Sequence, residues 1–203
     1  MKLKVCGMKF SENINEVGRL QPDFMGFIFW PNTKRFFSDT KINLPKNIKK
    51  VGVFVNQDLA FIKEKAKEFS LDFIQLHGNE DLKFCNSVHS FAKTIKVFHI
   101  DNNFDFQKLL PFENCVNYFL FDTKCESFGG SGMKFEWDIL KKYNLKTSFF
   151  LSGGIDIDDL KKILELKKME IPIFGIDINS KFELKPGLKN KLKIQNLINK
   201  LKK

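Results

Sequence analysis

Short apolar runs alternate with stretches of helical periodicity along the whole chain. The runs occupy residues 3–6, 24–30, 51–55, 73–76, 94–100, 118–121, 148–151 and 173–178. Each is too short for a buried helix and is bounded by polar or turn-forming residues, which marks buried strands. Between them, SENINEV at 11–17 reads as a helix start with Ser11 as N-cap and an early acid. Residues 58–69 form an amphipathic helix, another starts near Glu80, and 104–110 offers a short one. FEWDILKKY at 135–143, 157–168 and 188–201 carry the same period, while 39–48 is poorly marked. The runs are apolar on both faces, as parallel strands covered by helices require. Eight strand–helix units of about 25 residues predict a compact (β/α)₈ barrel, class α/β, with residues 1–203 as its single domain. An open doubly wound sheet is the alternative, but the first unit has no GxGxxG loop.

Composition narrows the class. An apolar fraction of 43% with 24 Phe suits a packed core. The net charge of +10 comes from lysines spread through every segment, among acids. A nucleic-acid binder concentrates its basic residues on one face or arm, so the charge reads as solvated helix faces that also attract an anionic ligand. Cys6, Cys85, Cys115 and Cys125 form no CxxC pair, and no run approaches the roughly 20 apolar residues of a membrane span. MKLKVCGMKF has no apolar stretch like that of a signal peptide. A reducing cytoplasm is the expected location, without disulfides.

In a barrel, function gathers at the carboxyl ends of the strands. Those positions hold Cys6, the loop with Lys34 and Arg35, Asn56, His77, His99, Asp122, Ser152-Gly153-Gly154 and Asp177 to Ser180. Three glycine or serine loops fall late in the chain: 129–132 (with Gly130 and Gly132), 152–154, and Asn179-Ser180. Backbone N–H groups and helix starts there suit a phosphate. A thiolate at Cys6 takes a proton from carbon and a carboxylic acid at Asp122 protonates a leaving oxygen. By residue type alone, Cys6 reads equally as a small core residue and Asp122 as a turn carboxylate. Arg35 and Arg19 are the two arginines, and a planar guanidinium does what lysine cannot. His77 and His99 read as pocket walls or loop hydrogen-bonders, with no acid at ligand spacing, so neither a metal nor a cofactor is expected.

These segments together resemble one family. KVCGM (4–8), DFMGFIFWPNTKRFFS (23–38), VGVFVN (51–56), FIQLHGNE (73–80), FLFDT with GGSG and FEWD (119–138), LSGGI (151–155) and GIDINSKFELKPGLKN (175–190) are similar, in order, to phosphoribosylanthranilate isomerases. The resemblance implies a (β/α)₈ barrel that performs an Amadori rearrangement in tryptophan biosynthesis. It implies Cys6 as general base, Asp122 as general acid, and Arg35 and Asp177 near the anthranilate. The phosphate would lie on Gly130, Gly132, Ser152, Gly153, Gly154, Asn179 and Ser180. It further implies a phosphorylated small molecule as partner, no nucleic acid or membrane, and a monomer or homodimer. Lys181 stands where the family has glycine; if that glycine needed a left-handed backbone, a lysine there would cost about 1 kcal/mol. Sister sugar-phosphate barrels fit less well: one would place Asp where Cys6 stands, and the other a lysine at an early strand end. A basic binding module is the non-enzymatic reading, with Leu188, Leu192, Leu197, Ile198 and Leu201 as an apolar docking face on the last helix.

Overall fold

The computed structural model describes residues 1–123 and 136–202. Eight parallel strands close on themselves in chain order: β1 (Lys2–Val5), β2 (Phe24–Ile28), β3 (Lys49–Phe54), β4 (Phe73–Leu76), β5 (Lys93–Ile100), β6 (Tyr118–Thr123), β7 (Phe149–Leu151) and β8 (Ile173–Ile178). Each lies within a few residues of an apolar run in the sequence. Around them run α1 (Ser11–Gly18), α2 (Leu59–Glu68), α3 (Leu82–His89), α4 (Leu160–Lys168) and α5 (Lys191–Leu201).

The helical ring is less regular than the periodicity predicts. No helix forms over 39–48. The predicted helix at 104–110 is instead a 3₁₀ segment, Phe106–Cys115, that contains Pro111. Proline lacks the N–H an α-helix needs and crowds the preceding turn. A second 3₁₀ segment, Trp137–Lys142, replaces the helix read from FEWDILKKY. Phe10, not Ser11, is the N-cap of α1, and the Ser11 hydroxyl bonds Asp39 instead. The last helix begins at Lys191 rather than 188, because Leu188–Lys189 pairs antiparallel with Glu183–Lys185 in a small hairpin. Ile194, Leu197 and Ile198 form its buried face, while Leu192 is 80% exposed.

The barrel interior is layered. Because tilted strands are staggered, side chains at one height advance about one residue per strand, and each layer takes alternate strands. At the amino ends, Phe24, Phe73 and Tyr118 open β2, β4 and β6, and Phe174 of β8 joins them. A register shift between β7 and β8 accompanies the inward turn of Phe174, which stacks on Tyr118 at 4.2 Å. By the strand registers, the next layer is Lys4, Val51, Ile95 and Phe150 from the odd strands. Gly26, Gln75, Leu120 and Asp177 follow, then Cys6, Val53, Val97 and Ser152. His77, His99 and Asp122 stand above them at the carboxyl ends. A second, larger apolar cluster fills the space between the strands and the outer helices.

Candidate active site

Cys6 immediately follows β1, and its N–H donates to Ile178 O at 2.9 Å, which fixes it beside the end of β8. It is 4% exposed. Burial pushes its thiol up and Asp177 adds to this, while the Lys4 and Lys189 ammonium groups pull it down; burial prevails. The glycine opposite it on β2 is required by space. A Cβ on Gly26 would lie 2.8 Å from Cys6 Sγ and 3.3 Å from Lys4 Nζ.

Asp122 comes from β6, three strands away round the barrel. Its Oδ1 accepts from Thr123 N at 2.9 Å, and its side chain is 15% exposed. His77 Nε2 stands 3.6 Å from Oδ2, an ion-pair distance longer than a hydrogen bond. Burial raises the Asp122 carboxyl, but His77, His99 and the Thr123 N–H together hold it below its usual range. His99 is pushed down by burial and by His77, so it favours the neutral imidazole. Gln75 Nε2 lies 2.9 Å from His77 Nδ1. With that amide donating, Nδ1 is the acceptor and the ring proton sits on Nε2, the nitrogen facing Asp122.

The His77 loop is anchored from below. Glu80 accepts from Asn56 N and Gly78 N and pairs with Lys96 at 2.7 Å, and Lys96 also donates to Gly78 O. The sequence reading placed no acid with either histidine, and the fold corrects this. His77, His99 and Asp122 present ligand atoms within 4.8 Å of one another. By count and donor type such a trio can hold a divalent ion; as a chain of titratable groups it can also pass a proton.

Arg35 is not a free surface arginine. Its Nε and Nη2 take both oxygens of Glu183, at 2.9 and 2.7 Å. Glu183 also accepts from Lys189 Nζ at 2.7 Å and Gly187 N at 2.9 Å. Burial raises the Glu183 carboxyl, yet these cations hold it low, and burial draws Lys189 down to about 8. Lys189 further donates to Asn179 Oδ1 at 2.6 Å. One edge of the Arg35 fork is therefore committed to Glu183, and the side chain is otherwise mostly buried, at 16% exposure.

Asp177 is tied to Lys4 at 2.8 Å and to the Ser152 hydroxyl at 3.3 Å. It lies one layer below Cys6 in the barrel interior. Gly153 has φ +89, and a Cβ there would fall 2.2 Å from Thr123 Oγ1. Only glycine permits that turn beside β6. Asn179 precedes the single 3₁₀ turn Ser180–Phe182 and makes no side-chain cap to it. Lys181 lies within this turn and is not among the left-handed residues, so the cost expected for it does not arise. Gly130 and Gly132 lie outside the described residues. Sequence reasoning missed Lys4, Lys189 and Glu183. Only Lys4 left a local signal: it stands two residues before Cys6, hence on the same face of the strand.

The profile of the N-(5'-phosphoribosyl)anthranilate (PRA) isomerase family matches residues 3–200. The chain belongs to the phosphoribosylanthranilate isomerase family. It is 42% identical to the N-(5'-phosphoribosyl)anthranilate isomerase of Parabacteroides distasonis, over 99% of this chain and 93% of that one. The crystal structure of the Thermotoga maritima phosphoribosyl anthranilate isomerase superposes with a TM-score of 0.88, at 28% identity, covering 100% of this chain and 98% of that one. Another structure of the family, in complex with reduced 1-(o-carboxyphenylamino)-1-deoxyribulose 5-phosphate, superposes at 0.81 with 25% identity, covering 100% and 98%. Family members thus share the barrel from its first strand to its last helix.

Proposed function

We propose that this barrel converts N-(5-phosphoribosyl)anthranilate to 1-(2-carboxyphenylamino)-1-deoxyribulose 5-phosphate in tryptophan biosynthesis, with Asp122 as acid and Cys6 as base. The carrying observation is that a thiol just after β1 and a carboxyl on β6, distant in sequence, stand at the carboxyl ends of strands of one closed barrel in a member of this family. Asp122 protonates the ribose ring oxygen and the ring opens to a Schiff base. Cys6 then removes the C2′ proton, leaving an enolamine that tautomerises to the ketone. The low resting affinity of Asp122 for a proton does not oppose this role. An anionic substrate pushes a neighbouring carboxyl toward its protonated form.

The Arg35 face stacks on the anthranilate ring, while its bond to Glu183 holds the plane upright. Asp177 lies near the same end of the substrate. Ser152, Gly153, Gly154, Asn179 and Ser180, with Gly130 and Gly132, hold the phosphate through N–H groups and short side chains. The protein acts as a monomer or homodimer in the cytoplasm. No described helix is long and apolar enough to cross a membrane.

A fluorescence assay tests the reading. Phosphoribosylanthranilate, generated from anthranilate and phosphoribosyl pyrophosphate by a transferase, should lose its emission when the protein is added. Undiminished emission, with folded protein present, would refute the assignment.

A further inference from the structure

Lys4 has no part in the reaction as described, yet its position is unusual. The side chain is fully buried, in a barrel layer otherwise filled by Val51, Ile95 and Phe150. An ammonium loses its hydration there and needs compensation. Asp177 supplies part, at 2.8 Å. The rest of the environment points to the sulfur. Lys4 Nζ and Cys6 Sγ both border the small space that Gly26 leaves open, 3.3 and 2.8 Å from where a Cβ on that glycine would stand.

The other charges facing Cys6 are few. β8 contributes Asp177 and the hairpin contributes Lys189, whose charge is met by Glu183. Glu183 in turn is shared with Arg35. β2 presents only Gly26 at this height. Lys4 is therefore the cation that shares the Gly26 space with the sulfur, and its ion-pair partner, Asp177, is itself shared with Ser152.

We propose that Lys4 is a positioning residue for the base, its ammonium serving as counter-charge to the Cys6 thiolate, with Asp177 setting how much of that charge the sulfur feels. This rests on the reading of Cys6 as the base. When the thiolate takes the C2′ proton, the C–H bond breaks and an S–H bond forms. The electron pair left on carbon flows into the protonated imine, so one negative and one positive charge vanish together. Lys4 then falls back on Asp177 alone. The electrostatic balance agrees: burial lowers the affinity of Lys4 for its proton, but Asp177 and Cys6 outweigh it and hold the ammonium charged.

The test is a titration of the Cys6 thiolate by its ultraviolet absorbance. Each protein is read against the same protein carrying Cys6→Ser, which cancels Cys85, Cys115 and Cys125. Lys4→Met should move the titration at least about one pH unit upward, a tenfold loss of thiolate at fixed pH. Asp177→Asn should move it downward, and Lys4→Arg should stay near wild type. Mere loosening of the core would hydrate the sulfur and lower both the Lys4→Met and Asp177→Asn titrations. Shifts of the same sign, or none, overturn the proposal. If Lys4→Met does not fold, Lys4→Gln, which removes the charge but keeps a polar group facing Asp177, takes its place: an upward shift supports the proposal, and a downward shift or none overturns it. Full activity in Cys6→Ser would instead sink the base assignment, whatever the titrations show.

Discussion

At the amino ends of its strands the barrel is filled by Phe24, Phe73, Tyr118, Phe150 and Phe174, ring against ring with centroids 4.2–6.0 Å apart. From the layer of Phe150 upward, the same cylinder holds Lys4, Asp177, Cys6, His77, His99 and Asp122. Most floor contacts are edge-to-face, the arrangement aromatic quadrupoles favour, and none of their carbon atoms needs a polar partner. At the upper end every group needs a named partner, and the partners are shared: Asp177 between Lys4 and Ser152, Glu183 between Arg35 and Lys189. The floor contributes stability and tolerates changes of detail. The upper end gains little net stability from its charges, since desolvation offsets much of each pairing. What it gains is groups whose proton affinities have been moved.

The two ends should therefore fail differently. Asp122→Asn should lower kcat about 10²–10⁴-fold, the usual effect of losing a positioned acid or base. Its melting temperature should stay close to wild type, and retention of more than a few per cent of kcat would remove Asp122 from the role. Phe150→Ala reverses the pattern. The side chain is fully buried, so truncation should cost about 3–5 kcal/mol in denaturant unfolding while the folded fraction keeps its kcat. A large kcat loss at full stability would show that the floor shapes the site directly.

Glu183→Gln probes the charged end through pH. The acid is held below its ordinary value, so its contribution is present above the unfolded glutamate value and is lost as pH falls through the lower folded one. The variant should be about 1.5–3 kcal/mol less stable at neutral pH, the range for hydrogen bonds to a charged group. Melting curves from about pH 7 down to 3 should then bring the two proteins together. A gap that stayed constant with pH would mean the amide fails for packing reasons alone.

Arg35→Lys should raise KM about tenfold, or ~1.4 kcal/mol, nearly as much as Arg35→Ala, because both lose the planar face. Wild-type KM in the lysine variant would leave charge alone as the requirement. The smallest expected effect is none. Dialysis against EDTA should leave activity intact, because the proposed acid and base are side chains; activity that zinc restored would assign the His77–His99–Asp122 trio to a metal.

Much of this was legible in the sequence because strands buried on both faces announce themselves as short apolar runs bounded by polar residues. The eight apolar runs located the eight strands, and through them the heights of Cys6, His77, His99 and Asp122. Helices were less legible. Residues 39–48 carry no sustained period and form none, and Pro111 turns the segment after β5 into a 3₁₀ helix. Both deviations arise where the helical pattern was weakest or met a residue without an N–H. The glycine loop at 152–154 was readable as a turn, but not the reason: the contact with Thr123 that forbids a Cβ at Gly153 crosses to another strand.

The sequence by itself determined the strand count, the fold class and which residue types stand where each strand ends, since local periodicity and turn chemistry act within a few residues. Only the tertiary structure decided what those residues do to one another. Lys4 meets Asp177 across 173 positions and Arg35 meets Glu183 across 148. Burial, not residue type, pushes the Cys6 thiol up and brings Lys189 down to about 8. Both the partners and the burial depend on closing the barrel, because β1 acquires its neighbour β8 only when the last strand returns to the first.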